Sequence, residues 1–215
     1  MKLRTLILLA APWTMAASQI QFVSLPGNTE NGTYNGYVGA KVDGVLFNNL
    51  ICDDYLDITY VPSGPFTYDV GTLGNLATAL FATQAGVPLD TAVTRYRAAA
   101  LVLNDINSDP ANVARYQYAL WDIFTPAAPS YQNSAQLAAD LLAEASAPPG
   151  GNAAIYQRLV IYTPSGSRNQ EFLQLANASY EQAAVPEPDT RWLAVGATAF
   201  FALGLWARRY RGGCL

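Results

Sequence analysis

The chain has 215 residues, 51% of them hydrophobic and only 13% charged, with 12 basic and 16 acidic side chains and no histidine. The missing imidazole excludes Ser-His-Asp and Cys-His catalysis, a histidine general base and His-ligated zinc. Between Gln19 and Ala184 six basic side chains face fourteen acidic ones. That net charge of −8 excludes a nucleic-acid partner, because phosphate binding needs clustered Lys and Arg.

The first residues are Met1-Lys-Leu-Arg4, then an apolar run from Thr5 to Trp13, then the small residues Ala16, Ala17 and Ser18. A charged start, a short apolar centre and a small-residue exit predict a secretory signal peptide over 1–18, with cleavage between Ala16 and Gln19. The stretch 19–176 is long enough for one domain with a sizeable core. Its first half reads as strands and turns. Asn31-Gly-Thr-Tyr-Asn-Gly36 and Asp43-Gly44 are turn signals bracketing β-favouring runs at 37–42 and 45–52, with further strands expected at 56–61 and 66–70.

The period then changes. Stretches rich in Ala and Leu at helical spacing predict helices over 76–85, 92–106, 111–124 and 134–145. Asp90 and the pair Asp109-Pro110 supply start signals, a capping carboxylate and a first-turn proline. After Pro148-Pro-Gly-Gly151 strand-like runs return at 159–162 and 171–175, and 177–184 reads as a polar linker. A helical segment inserted in a β-rich domain, without βαβ alternation, predicts an α+β fold.

The far end carries Val185, Pro186, Glu187 and Pro188, an uncharged run over 192–206, and Arg208, Arg209 and Arg211. As a helix that run covers ~22 Å, short of the ~30 Å hydrocarbon core, so flanking Trp and Arg must extend to the interfaces. The arginines orient that end to the cytoplasm. Motif, span and basic cluster in this order resemble the PEP-CTERM sorting signal of Gram-negative bacteria. The resemblance implies a region 185–215 with a transmembrane helix, inserted in the inner membrane until the peptidase exosortase cuts near the motif. It further implies a cell surface or extracellular matrix rich in exopolysaccharide.

Only two cysteines exist, and Cys214 falls on the cytoplasmic side of this tail, so Cys52 is alone in the exported part. Such a thiol needs either burial or a bond to something other than sulfur. A partner of the second kind lies in Tyr116-Gln-Tyr-Ala-Leu-Trp121, where Gln117 and Trp121, four residues apart on a predicted helix, share a face. Ile51-Cys52-Asp53, the Gln117 to Trp121 helix, and Tyr96-Arg-Ala-Ala-Ala-Leu-Val-Leu-Asn104 between them resemble the thioester domains of bacterial surface adhesins. The resemblance covers roughly residues 34–124. It implies an internal thioester between Cys52 and Gln117, shielded from water by Trp121, through which an amine-bearing surface or matrix molecule would be bound covalently. Ile51 departs from the aromatic residue often found before the cysteine, and Asp53 is expected to raise the thiol pKa.

Other readings stand beside this one. Asp53, Asp54 and Asp57 could bind Ca²⁺, but they lack the Asp-x-Asp-x-Asp-Gly spacing, so a solvated acidic turn is expected and no metal. The thirteen Tyr and four Trp could stack on sugars or fill the core. Asp105 and Asp122 could serve a glycosidase, yet nothing spaces them for it. The expectation is an exported adhesion protein that acts once, without a cofactor and not as a turnover enzyme. The alternative is a non-covalent exopolysaccharide-binding or structural protein of a biofilm matrix.

Overall fold

The computed structural model describes residues 17–25, 28–30, 33–166 and 169–176. Residues 1–16 of the expected signal peptide, the linker and the sorting tail with its membrane run lie outside the described residues, whereas Ala17 and Ser18, its expected last two residues, open the first strand. The chain divides after Ser179 into two compact units, and everything described belongs to the first. Among the described residues no helix is long and apolar enough to cross a membrane.

The architecture is α+β. Six antiparallel strands close a barrel: β1 (Ala17–Ser24), β4 (Val38–Val42), β5 (Val45–Cys52), β8 (Phe172–Leu175), β7 (Leu159–Pro164) and β6 (Ser63–Thr72), in that spatial order with β6 returning to β1. A separate hairpin pairs β2 (Asn28–Glu30) with β3 (Thr33–Asn35). Between β6 and β7 the chain forms α1 (Leu89–Ser108), α2 (Val113–Phe124), α3 (Ser134–Ser146) and α4 (Ala153–Gln157). The inserted helical segment is therefore where the sequence periodicity puts it.

Strand parity splits the apolar residues into two cores. Across β5, β8 and β7 the row Cys52, Phe172, Tyr162 faces one cluster, with Ile20, Phe22, Leu50 and Tyr68. There Phe22 sits 4.7 Å from Phe172 and 6.1 Å from Tyr68 between ring centres. The neighbouring row Ile51, Leu173, Ile161 faces the helices. α1 packs against α2, α3, α4 and β8 and buries Ala98 to Leu103 without a break, because alanines let neighbouring helices close in around it. At the β4–β5 turn Asp43 (φ 49°) and Gly44 (φ 85°) both take positive φ, as a two-residue primed turn requires. Gly64 (φ 94°) must be glycine, since a Cβ there would stand 2.8 Å from the Ile20 carbonyl oxygen.

Several elements differ from expectation. The stretch 76–85 is a series of turns, not a helix, because its backbone is drawn elsewhere. Leu80 N–H donates to Glu171 Oε2 at 2.7 Å and Phe81 N–H to the Tyr96 hydroxyl at 3.3 Å. Residues 56–61 do alternate, with Leu56, Ile58 and Tyr60 exposed, but no strand pairs with them. The Gln170 side chain holds the segment, accepting from Thr59 N–H and donating to the Asp54 carbonyl. Strand β1 and the short helix α4 have no counterpart among the expected elements. β1 alternates buried Ser18, Ile20 and Phe22 with more exposed neighbours, a pattern hidden by its overlap with the predicted signal peptide at Ala17 and Ser18. α1 begins at Leu89 behind Pro88, so Asp90 is a first-turn carboxylate instead of the cap. Pro110 opens a single 3₁₀ turn ahead of α2.

Candidate functional site

Cys52 is the last residue of β5, held in register opposite Phe172. Helix α2 lies where the two cores meet. Its Tyr118 and Trp121 join the cluster that contains Cys52, while Ala119, Leu120 and Ile123 join the helical one. Its last turn is tied down by the Arg95 guanidinium, which donates to the Ile123 carbonyl. A helix buried on two sides has little freedom to rotate, and this sets the direction of Gln117.

The structure brings Cys52, Gln117 and Trp121 together. Gln117 is fully buried, and its Nε2 donates to the Cys52 carbonyl oxygen at 2.7 Å across 65 residues of sequence. Its Oε1 is buried without a partner. A buried amide oxygen left unsatisfied costs about 1–3 kcal/mol, and such a group calls for an explanation. Trp121 is 2% exposed and lies against Tyr55 (5.2 Å) and Tyr118 (5.1 Å), with Tyr131 stacked on Tyr118. Together these rings enclose the thiol in an apolar, aromatic setting.

Burial pushes the Cys52 thiol up to about 12. The Trp121 side chain and the backbone at Cys52 pull the other way, and Asp53 and Asp54 add to the rise. The effect expected of Asp53 is thus present but smaller than that of burial.

Of the three aspartates expected in a solvated turn, Asp57 is half-buried, and the other two are not solvated. Asp53 and Asp54 are buried, and Asp54 Oδ1 accepts from the Leu56 and Asp57 backbone N–H groups. Asp53 stands opposite Glu171, itself buried, and Glu171 accepts from Leu80 N–H, the Tyr96 hydroxyl and the Thr163 hydroxyl. Burial, then the Glu171 carboxylate, hold Asp53 well above the usual carboxylate range, so the pair keeps a proton between them. Sequence reasoning missed Glu171, Tyr96 and Thr163 as a unit. The available signal was strand parity, which gives Glu171 the same face as Leu173 and so points a carboxylate into the helical core. Among the described residues no group of three or more Cys, Asp or Glu side chains is arranged to hold a metal ion. The aromatic side chains Tyr68, Tyr96, Tyr118, Trp121, Tyr156 and Tyr162 are buried, which makes them core residues and not sugar platforms.

Compared with known protein families and with curated proteins, the sequence matches none. Among solved structures the chain is similar to the N-terminal thioester domain of a surface protein from Clostridium perfringens. The identity is 16% and the TM-score 0.42, over 75% of this chain and 99% of that one. At that level the likeness adds nothing to the chemistry, which rests on the residues themselves.

The resolved carboxyl shifts, at Asp53, Asp54, Asp105, Asp122 and Glu171, are all upward, with burial as the leading cause. A carboxyl whose folded pKa exceeds its unfolded value stabilises the fold below the unfolded pKa of about 4 and loses that contribution as pH rises through the folded one. For Asp54 the loss falls between about pH 4 and its folded value of about 6, and Asp53, also raised, contributes with the same sign. Thermal melts should therefore give a higher Tm at pH 4.5 than at pH 8, and Asp53→Asn should flatten the difference. A Tm that climbs steadily from pH 4.5 to 8 would contradict the buried, protonated acid pair.

Proposed function

We propose that this is an exported adhesion protein whose domain closes an internal thioester between Cys52 and Gln117 and uses it once to bind an amine covalently. The observation that carries the reading is the fully buried Gln117 carboxamide, bonded to the Cys52 carbonyl and left with an unpartnered oxygen beside the buried Trp121. In the closing step the Cys52 sulfur bonds to the Gln117 amide carbon, the carbon–nitrogen bond breaks, and the thiol proton leaves on ammonia. In the second step an amine nitrogen bonds to the same carbon, leaving a stable amide and a free Cys52 thiol. Tyr55, Tyr118 and Trp121 slow the competing hydrolysis by keeping water from the carbonyl. A site consumed in this way does not turn over, so the chain is not an enzyme.

The secretory pattern of residues 1–18 and the motif, apolar run and basic cluster of residues 185–211 support the reading of export and surface localisation. The amine-bearing partner then belongs to a cell surface or an exopolysaccharide matrix, and exosortase is a partner only during sorting. Intact-mass spectrometry tests the reading. The folded chain should weigh one ammonia, about 17 mass units, less than its sequence, and methylamine should add at Gln117 while one thiol becomes alkylatable. A full-mass chain with Gln117 mapped as an unmodified amide would leave the passive matrix role instead.

A further inference from the structure

The proposed thioester leaves one feature of the site unexplained, the polar end of Trp121. The indole Nε1–H is buried and has no hydrogen-bond partner, sulfur included, and Trp121 shares its buried cluster with Cys52. Buried tryptophans usually place this N–H on a partner, because an unmet donor in an apolar setting is costly. Phe or Leu at this position would exclude water as well and carry no such penalty. The same helix face presents a second orphan, Gln117 Oε1, one turn earlier. A donor without an acceptor and an acceptor without a donor, both buried beside one thiol, describe a site whose charges appear only during reaction.

We propose that Trp121 is a catalytic residue as well as a cover: its indole N–H, unpartnered at rest, donates to the Cys52 sulfur as negative charge collects there when the thioester closes and when an amine reopens it. The inference rests on the Cys52–Gln117 thioester reading. Three facts shape it. The Cys52 environment is apolar and flanked by Asp53 and Asp54, both of which oppose a thiolate. Trp121 sits four residues after Gln117, so the fold that aims the carboxamide aims the indole too. Trp121 is also wedged between Tyr55 and Tyr118, which restrains the ring. During aminolysis the sulfur–carbon bond breaks with its electron pair passing to sulfur, and the proton shed by the attacking amine ends on that sulfur. The indole keeps its own proton throughout and supplies only a hydrogen bond.

A shield and a donor predict opposite signs. Replacing Trp121 in the full chain by 3-benzothienylalanine keeps the bicyclic shape and exchanges the N–H for sulfur, and Trp121→Phe is a second variant that keeps an aromatic cover. If the N–H stabilises the thiolate, both variants should react with methylamine about 10–100-fold more slowly than wild type, the worth of one charge-assisted hydrogen bond. A shield alone predicts aminolysis and hydrolysis at the wild-type rate or faster. The pH dependence of Cys52 alkylation, read after methylamine has opened the bond, should move upward in both variants, which a packing role would not cause. An isostere that forms the thioester and reacts at the wild-type rate, with an unmoved alkylation profile, overturns this inference and leaves the thioester standing. A wild-type chain at full mass with an unmodified Gln117 overturns both.

Discussion

Cys52→Ala and Gln117→Ala are each expected to restore the full sequence mass and to bring methylamine uptake down to background. The loss is complete because the bond needs a sulfur on one side and a carboxamide on the other, and neither group has a substitute among its neighbours. Stability should change little by comparison. Gln117→Ala gives up one hydrogen bond to the Cys52 carbonyl, about 0.5–1.5 kcal/mol, and removes an orphan oxygen that costs a similar amount. Cys52→Ala trims one sulfur from a packed site, on the order of 1–2 kcal/mol, within a typical folding stability of about 5–15 kcal/mol. Both variants should keep the wild-type near-ultraviolet circular dichroism, so lost uptake reads as lost chemistry. Methylamine adding to a folded Cys52→Ala chain would show that Gln117 is not activated by Cys52.

Glu171→Ala should be the most damaging single substitution to the fold, at about 3–5 kcal/mol, the range for removing one member of a buried charged network. The carboxylate gathers the Leu80 N–H, the Tyr96 hydroxyl, the Thr163 hydroxyl and the Asp53 proton, from four different parts of the chain. Alanine leaves these buried and half-buried donors without an acceptor, and adds a cavity beside α1 and the 76–85 turns. Glu171→Gln should cost roughly 1–3 kcal/mol, because an amide can satisfy some of the donors while its own N–H₂ opposes another. Urea denaturation read by circular dichroism measures both. A Glu171→Ala midpoint within error of wild type would show that the network is not structural.

The parts of the fold that were legible are those where period and local chemistry agree. The β4–β5 hairpin follows from Asp43-Gly44 between β-favouring runs, and α1, α2 and α3 from long Ala- and Leu-rich stretches. The predicted helix over 76–85 failed because its residues satisfy their backbone on Glu171 and Tyr96, which are distant in sequence. The predicted strand over 56–61 failed for a related reason, since period 2 shows alternation but cannot show whether a neighbouring strand exists. Acidic residues in a row read as solvated by default. Asp53 and Asp54 are buried because β5 ends against β8, and its partner there brings a second carboxylate.

For the site, sequence alone was enough to single out a lone Cys52 and a Gln117 that shares a helix face with Trp121. Those inferences need only a count, the expected placement of Cys214 beyond the membrane run, and the 3.6-residue period. That Gln117 reaches Cys52 was not decidable at that level. It depends on a barrel closing so that β5 ends beneath α2, and on two separate cores fixing that helix from both sides. The paired Asp53 and Glu171 and the unmet indole N–H belong to the same category. Burial and the absence of a partner are properties of the packed chain, because each depends on which side chains distant in sequence end up on the opposite face.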